Sequence, residues 1–203
     1  MLAYLLQGLV LGLPAAAQPG PFQAYLLAQT MKNGWQRTLP AALAPLLSDG
    51  PIILLVLLVL TQLPAGLLRA LQIAGGLFIL YLAWGAYKTF RTVDFSVPVN
   101  AASGQQSVLE AALMNALNPN PYIFWSLVAG PILLEAWRSS LLHGLAFLLG
   151  FYGTLIGGFA LFIVLFGTAR QLGPRVSRAL SGISVVALGL FGLWQLATGL
   201  RGG

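Results

Sequence analysis

Long apolar runs separated by short polar breaks cover almost the whole chain. They lie at approximately Leu2 to Ala28, Leu39 to Thr61, Leu67 to Tyr87, Val108 to Ala136, Leu141 to Gly167 and Ala179 to Leu200. A bilayer core of about 30 Å takes roughly 20 apolar residues per helix, so each run is long enough to cross and the pattern predicts six transmembrane helices. The one sizeable polar connection, Lys88 to Ser107, contains Pro98 and the stretch Ala101-Ala102-Ser103-Gly104-Gln105-Gln106, and reads as a linker. The chain then divides into a first three-helix unit at 1–95, a linker at 96–106 and a second three-helix unit at 107–203, together one transmembrane domain. Leu2 to Leu13 followed by Ala15-Ala16-Ala17 imitates a signal peptide, but no Lys or Arg precedes it and the apolar pattern continues to Leu27, which suits an uncleaved first span.

The two units resemble each other. Gln18-Pro19-Gly20-Pro21-Phe22 in the first run matches Asn118-Pro119-Asn120-Pro121-Tyr122 in the fourth: amide, proline, small or turn residue, proline, aromatic. Leu43-Ala44-Pro45-Leu46-Leu47 resembles Leu145-Ala146-Phe147-Leu148-Leu149. Arg69-Ala70-Leu71 opens the third run as Arg178-Ala179-Leu180 opens the sixth, with Trp84 and Trp194 later in each. Four matches in one order predict an all-α integral membrane protein with six transmembrane helices in a 3+3 inverted repeat, its first and fourth helices broken.

Composition narrows the chemistry. Of 203 residues 58% are hydrophobic and 7% charged, with mean hydropathy +0.86, against about 25% charged in soluble domains. Zero cysteines removes disulfides, thiolate metal sites and thiol redox relays, and one histidine, His143, cannot build a zinc site alone. The net charge of +6 is spread singly between apolar runs, unlike a nucleic-acid footprint. Lys32, Arg37, Lys88, Arg91, Arg170, Arg175 and Arg178 fall in odd-numbered loops, against Arg69, Arg138 and Arg201 on the other side. Cytoplasmic loops are enriched in Lys and Arg, so both termini are expected outside, and three spans per unit then give the units opposite orientations.

The polar residues within the apolar runs are the candidate site. Two prolines spaced by one residue should break a helix, because each lacks an N–H and disfavours the helical conformation before it. Backbone groups opened in this way need protein partners or a water-filled cavity. Pro19, Gly20 and Pro21 with Gln18, and Pro119 and Pro121 with Asn118, are therefore expected to line a central substrate site, together with Asn115, Ser48 and Tyr122. Packed proline kinks, inter-helix hydrogen bonding by Asn115 and aromatic packing of Tyr122 and Trp125 are the plainer alternatives. Asp49 falls near the centre of the second run, where an Asp costs about 2.5 to 3.5 kcal/mol. The run from Ile52 to Leu60, all Leu, Ile or Val, offsets that cost and carries the carboxyl into the membrane. Intramembrane carboxyls mark ion or proton pathways, so Asp49 is the candidate for proton or cation coupling. Ser48, Gly50 and Pro51 beside it suggest an irregular helix. Glu110 enters the inner leaflet as a candidate inner gate or an interfacial partner of Lys88 or Arg91. Glu135 and Arg138 form an interfacial pair, and Asp94 is a loop charge. Gly8-x-x-x-Gly12 and Gly153-x-x-x-Gly157 fit close helix packing.

These residues carry a family resemblance. The Gln18-Pro19-Gly20-Pro21 break, the Asp49 region, the stretch Gly75-Gly76-Leu77-Phe78-Ile79-Leu80-Tyr81-Leu82-Ala83-Trp84-Gly85, and Asn115-Ala116-Leu117-Asn118-Pro119 resemble the LysE-type (lysine exporter, homoserine-threonine exporter) family over essentially the whole chain. The resemblance implies a small protein of the bacterial inner membrane that exports an amino acid in exchange for protons or another cation. It implies that Pro19 to Pro21 and Asn118 to Pro121 line the central site and that Asp49 is the acidic residue. Pro40, Pro45 and Pro51 replace a glycine-rich start to the second span, and the second break reads Asn-Pro-Asn-Pro where many relatives carry a basic or small residue after the first proline. Exporters of basic amino acids, of homoserine or threonine and of aliphatic amino acids look alike at this level.

The expected partners are an amino-acid substrate, protons or monovalent cations, and membrane lipids; no nucleic acid and no cofactor is expected, and a homodimer is compatible with the pattern. A transporter or channel for a metal or inorganic cation is the alternative. An intramembrane enzyme would need a nucleophile with its base or a cluster of metal ligands, and the sequence offers neither.

Overall fold

The apolar runs form helices, but not all of them uninterrupted. The computed structural model describes residues 1–18, 20–58, 65–92, 104–169 and 173–201, and every regular element among them is helical. The first run gives α1 (Leu2–Ala17) and α2 (Pro21–Asn33), bent by 65° relative to each other. The second gives α3 (Trp35–Thr38), a 3-10 turn (Leu39–Leu43) and α4 (Ala44–Leu58). The third is α5 (Ala65–Thr92). The fourth is divided into α6 (Gly104–Ala116), α7 (Pro119–Phe124), a π-helical turn (Trp125–Ala129) and α8 (Gly130–Ser139). The fifth and sixth are α9 (Leu141–Ala169) and α10 (Pro174–Arg201).

Among the described residues four continuous stretches are long and apolar enough to cross a membrane: Trp35–Val56, Arg69–Lys88, Leu141–Ala169 and Pro174–Arg201. The bent α1–α2 pair passes the same test when its two helices are taken together as one span, which brings the number to five. Pro19, Asp94, Pro98 and Arg170 lie outside the described residues, as does the expected linker 96–106 up to residue 103; α6 already begins at Gly104.

Proline placement explains much of this segmentation. Pro40 is the second residue of the 3-10 turn and Pro45 the second residue of α4, positions in a first turn where a proline is tolerated. The irregularity expected around Asp49 falls instead before α4, which runs as one α-helix through Ser48, Asp49, Gly50 and Pro51. Gly34, at φ +80°, ends α2 and turns the chain into α3, a backbone conformation that L side chains rarely adopt.

Two close helix pairs frame the molecule. α1 lies along α9: a Cβ added at Gly8 would run into the Phe147 carbonyl, one at Gly12 would come within 2.5 Å of the Phe151 carbonyl, and one at Gly150 would meet the Leu5 carbonyl. Small residues here let two backbones approach each other. The Gly8-x-x-x-Gly12 reading holds in this packing, whereas Gly153 and Gly157 face open space, and Gly150 and Gly158 are the α9 glycines against α1. α5 runs antiparallel to α10, with Gly75 against Gln195, Gly76 against Leu196 and Gly192 against Leu80.

Polarity is distributed opposite to that of a water-soluble protein. Ser48, Asp49, Asn115, Asn118, Ser181, Ser184 and Gln195 are buried, while Val10, Leu127, Leu149 and Leu190 face outward. Buried polar groups must find hydrogen-bond partners, and many are local: Thr30, Ser48 and Thr154 donate to the carbonyl four residues earlier.

Candidate functional site

In each of the two helix breaks a side chain from the following helix reaches back to the carbonyl at the equivalent position of the motif. Gln23 Nε2 donates to the Ala16 carbonyl at 2.9 Å across the first break. Across the second, Tyr122 donates its hydroxyl to the Ala116 carbonyl at 2.9 Å. Gln195 Nε2, on α10, adds a donor to the Leu117 carbonyl at 3.3 Å. The matched motifs do not restart their helices in the same register. In the first, α2 starts at Pro21 after an extended Gly20. In the second, α7 starts two positions earlier in the motif at Pro119, because the Asn118 side chain caps it by accepting the Asn120 N–H at 3.1 Å.

The two breaks flank a cavity of about 410 Å³. Gln18, Gly20, Pro21, Phe22 and Gln23 contribute from the first break, and Asn118, Asn120, Pro121, Phe124 and Trp125 from the second. α4 supplies Pro45 and Asp49, α6 supplies Asn115, and α9 supplies Phe151, Leu155 and Phe159. The aromatic wall is tightly knit, with ring centroids 5.5 Å apart for Phe124 and Phe151, 5.3 Å for Trp125 and Phe151, and 4.8 Å for Phe22 and Phe159. Trp125 sits in the π-helical turn just before Pro131, the kind of local widening that recurs at functional sites.

Asp49 is the only charged residue lining this cavity among those described. Its Oδ1 accepts from Asn115 Nδ2 at 2.7 Å, and its Oδ2 accepts from the Tyr152 hydroxyl at 3.2 Å. Asn115 Nδ2 also donates to Ser48 Oγ at 2.8 Å. One carboxyl thus ties α4 to both α6 and α9. Trp125 Nε1 is buried beside the Asp49 carboxyl at the edge of this network.

The cavity accordingly gathers Gln18, Gly20, Pro21, Asp49, Asn115, Asn118 and Pro121 from the expected residues, while Pro19 lies outside the described residues. Ser48 acts through Asn115, Pro119 is the buried first residue of α7, and Tyr122 turns its hydroxyl to the broken backbone, lining a shallow apolar groove with Ser48 instead. Glu110 is elsewhere, in a second cavity with Tyr25, Gln29, Lys32 and Lys88.

A family model described as LysE type translocator matches residues 13–199. The chain belongs to the LysE-type translocator family. This translocator is therefore a transporter and not an enzyme, and a multi-pass membrane protein. It is 27% identical over 203 residues to a Bacillus subtilis (strain 168) protein named "Putative amino acid efflux protein YcgF", the match covering 95% of each chain. No solved structure matches it.

Sequence reasoning named Trp125 as a residue that could line a cavity but missed Tyr152, Gln23 and the Phe124, Phe151 and Phe159 rings of the translocator's cavity wall. A signal for Tyr152 was present: aligning Leu43 to Leu47 with Leu145 to Leu149 pairs Asp49 with Phe151, one residue before Tyr152. Gln23 carried a weaker one, as an amide two residues after a helix-breaking proline.

Proposed function

We propose that the protein is a secondary active exporter of a neutral amino acid with an apolar side chain, working across the bacterial inner membrane and driven by proton or cation antiport. The observation that carries this reading is the Asp49 carboxyl as the one charged group, among the described residues, in the wall of the cavity between the two helix breaks. A zwitterion has one charge of each sign to satisfy. Its ammonium suits Asp49 and the broken carbonyls. Its carboxylate suits the N-terminus of α2, where backbone N–H groups and the helix dipole favour an anion, with the Gln18 and Asn118 amides nearby. The apolar wall of Phe124, Trp125, Phe151, Leu155 and Phe159 then favours an aliphatic or aromatic side chain over a charged one. The efflux-protein name of the Bacillus relative supports an amino acid as cargo.

The six-span inverted repeat with broken first and fourth helices belongs to this proposal. In its support, contacts alternate between two ends of the bundle: Tyr4 lies beside His143, Gly167 packs against Trp35, Lys32 and Lys88 share a cavity, and Arg69 Nε donates to the Gly199 carbonyl. These contacts suit a chain that crosses six times and starts and finishes at the same end, and the Lys- and Arg-poor loops of that end suit the outside. Alternating access follows from motion of one unit against the other. A metal or inorganic-cation reading has less to work with: no group of three His, Cys, Asp or Glu side chains occurs among the described residues.

The test is reconstitution. Proteoliposomes preloaded with each of the twenty proteinogenic amino acids in turn should release leucine, isoleucine, valine, methionine or phenylalanine faster than protein-free vesicles, with a pH gradient stimulating release. Release confined to lysine and arginine would overturn the apolar assignment, and release of none would overturn the exporter reading.

A further inference from the structure

The cavity around Glu110 has a composition the central one lacks. It measures about 320 Å³ and brings a carboxylate, Glu110, together with two ammonium groups, Lys32 and Lys88, beside Tyr25, Gln29 and Trp84. Lys88 Nζ lies 5.5 Å from the centroid of the Trp84 ring. Both charges of a zwitterion have a counterpart here, and aromatic surface is available for a side chain.

Its position relative to the central cavity is set by two helices that line both. On α2, Phe22 and Gln23 face the central cavity, whereas Gln29 and Lys32 face the second. On α6, Asn115 faces the first and Glu110 the second, five residues or about 7.5 Å apart along the axis. The layer between is solid: Leu26 on α2 and Ala111 and Met114 on α6 are buried in the core. At its edge the Tyr25 hydroxyl donates to Glu110 Oε2 at 3.0 Å, and Gln29 Nε2 donates to the same oxygen at 3.4 Å. These bonds fasten α2 to α6; α2 begins at the first break and α6 ends at the second.

We propose that this second cavity is an intake site for zwitterionic amino acids, and that the Tyr25–Glu110 bond at its floor is a latch which the arriving substrate opens. The proposal rests on the exporter reading and its orientation, which put Lys32 and Lys88 on the cytoplasmic side. The substrate carboxylate pairs with Lys32 and Lys88. Its ammonium competes with Tyr25 and Gln29 for Glu110 Oε2, and once that oxygen is taken α2 is released from α6 and the path to the central cavity opens. No covalent step is involved, only exchange of one hydrogen-bond donor for another at a carboxylate oxygen.

The experiment uses the full chain, which has no cysteine, carrying Leu155→Cys as a reporter in the central cavity. A charged, membrane-impermeant methanethiosulfonate is applied from the Lys32 side in inverted vesicles, with and without L-leucine. Labelling should be slow without leucine and faster with it. Tyr25→Phe should speed leucine-free labelling by about tenfold or more, the lower edge of what the loss of a hydrogen bond to a charged group gives. Glu110→Gln should abolish the acceleration by leucine. Lys32→Gln combined with Lys88→Gln should raise the leucine concentration for half-maximal acceleration by about tenfold, and carries the test if Glu110→Gln does not assemble. A Tyr25→Phe rate equal to that of the parent overturns the latch. Absence of leucine acceleration in the parent, or its persistence in Glu110→Gln, overturns the intake site. Leucine release from proteoliposomes without acceleration of labelling would overturn this proposal alone. Glu110-dependent acceleration in a protein that releases no amino acid would sustain the intake site and overturn the exporter reading.

Discussion

Asp49 divides its two oxygens between different helices, Oδ1 to Asn115 on α6 and Oδ2 to Tyr152 on α9. A ligand or proton that claims either oxygen competes with one of these bonds, which couples occupancy of the cavity to the helices that surround it. Asp49→Asn keeps the size and one acceptor oxygen but removes titration. We expect it to insert normally, to retain exchange of amino acid for amino acid, and to lose pH-gradient-driven accumulation in proteoliposomes with matched protein content; full accumulation would return Asp49 to a structural role. Tyr152→Phe removes a bond of a kind that averages about 0.6 kcal/mol inside membrane proteins. Thermal stability in detergent should therefore barely change, while KM for the exported amino acid rises, and an unchanged KM would count against a role for the Tyr152 contact. Asp49, Asn115 and Gln18 were legible in the sequence because a carboxyl or amide interrupts an apolar run. Tyr152 was not, since a tyrosine in such a run passes for packing until a partner is known.

At the scale of elements, the breaks were legible from proline spacing but their register was not. Gln18-Pro19-Gly20-Pro21 and Asn118-Pro119-Asn120-Pro121 read as equivalents, yet α2 begins at the second proline and α7 at the first. The difference lies in the residue between: Gly20 takes an extended conformation, whereas the Asn120 N–H is held by Asn118 Oδ1. The packing stripes show the same limit. In a chain with 24 glycines, spacing alone cannot tell Gly153, which meets nothing, from Gly150, which meets the Leu5 carbonyl on α1. Gly150→Leu should force α9 away from α1 at a cost of about 1 to 3 kcal/mol or more, read as a lowered aggregation temperature in detergent, while Gly153→Leu should leave that temperature within error. Equal effects at the two positions would show that the α1–α9 approach is not what holds this side of the cavity.

For the whole molecule, the charge pattern and the packing arrive at the same division independently. The loop charges separate Lys32, Arg37, Lys88, Arg91, Arg175 and Arg178 from Arg69, Arg138 and Arg201. Contacts that owe nothing to charge counting place Gly167 beside Trp35 at one end, and Tyr4 beside His143 and Arg69 beside Gly199 at the other. α1 and α9 run parallel, as Gly8 meets Phe147 and Ala16 meets Gly158, while α5 and α10 run antiparallel. In the proposed six-span topology α9 crosses between them, so Pro174, at the start of α10, and Ser139, at the end of α8, emerge on opposite faces of the membrane. Because cytoplasmic loops are the Lys- and Arg-rich ones, Ser139 should be outside and Pro174 inside. Single substitutions Ser139→Cys and Pro174→Cys, both neutral and both at exposed positions in a chain without background thiols, read this directly. A membrane-impermeant maleimide on intact cells should label the first and spare the second until the membrane is permeabilised. The reverse pattern would invert the orientation and turn the Glu110 cavity into an exit. Labelling of both in intact cells would break the six-span topology itself.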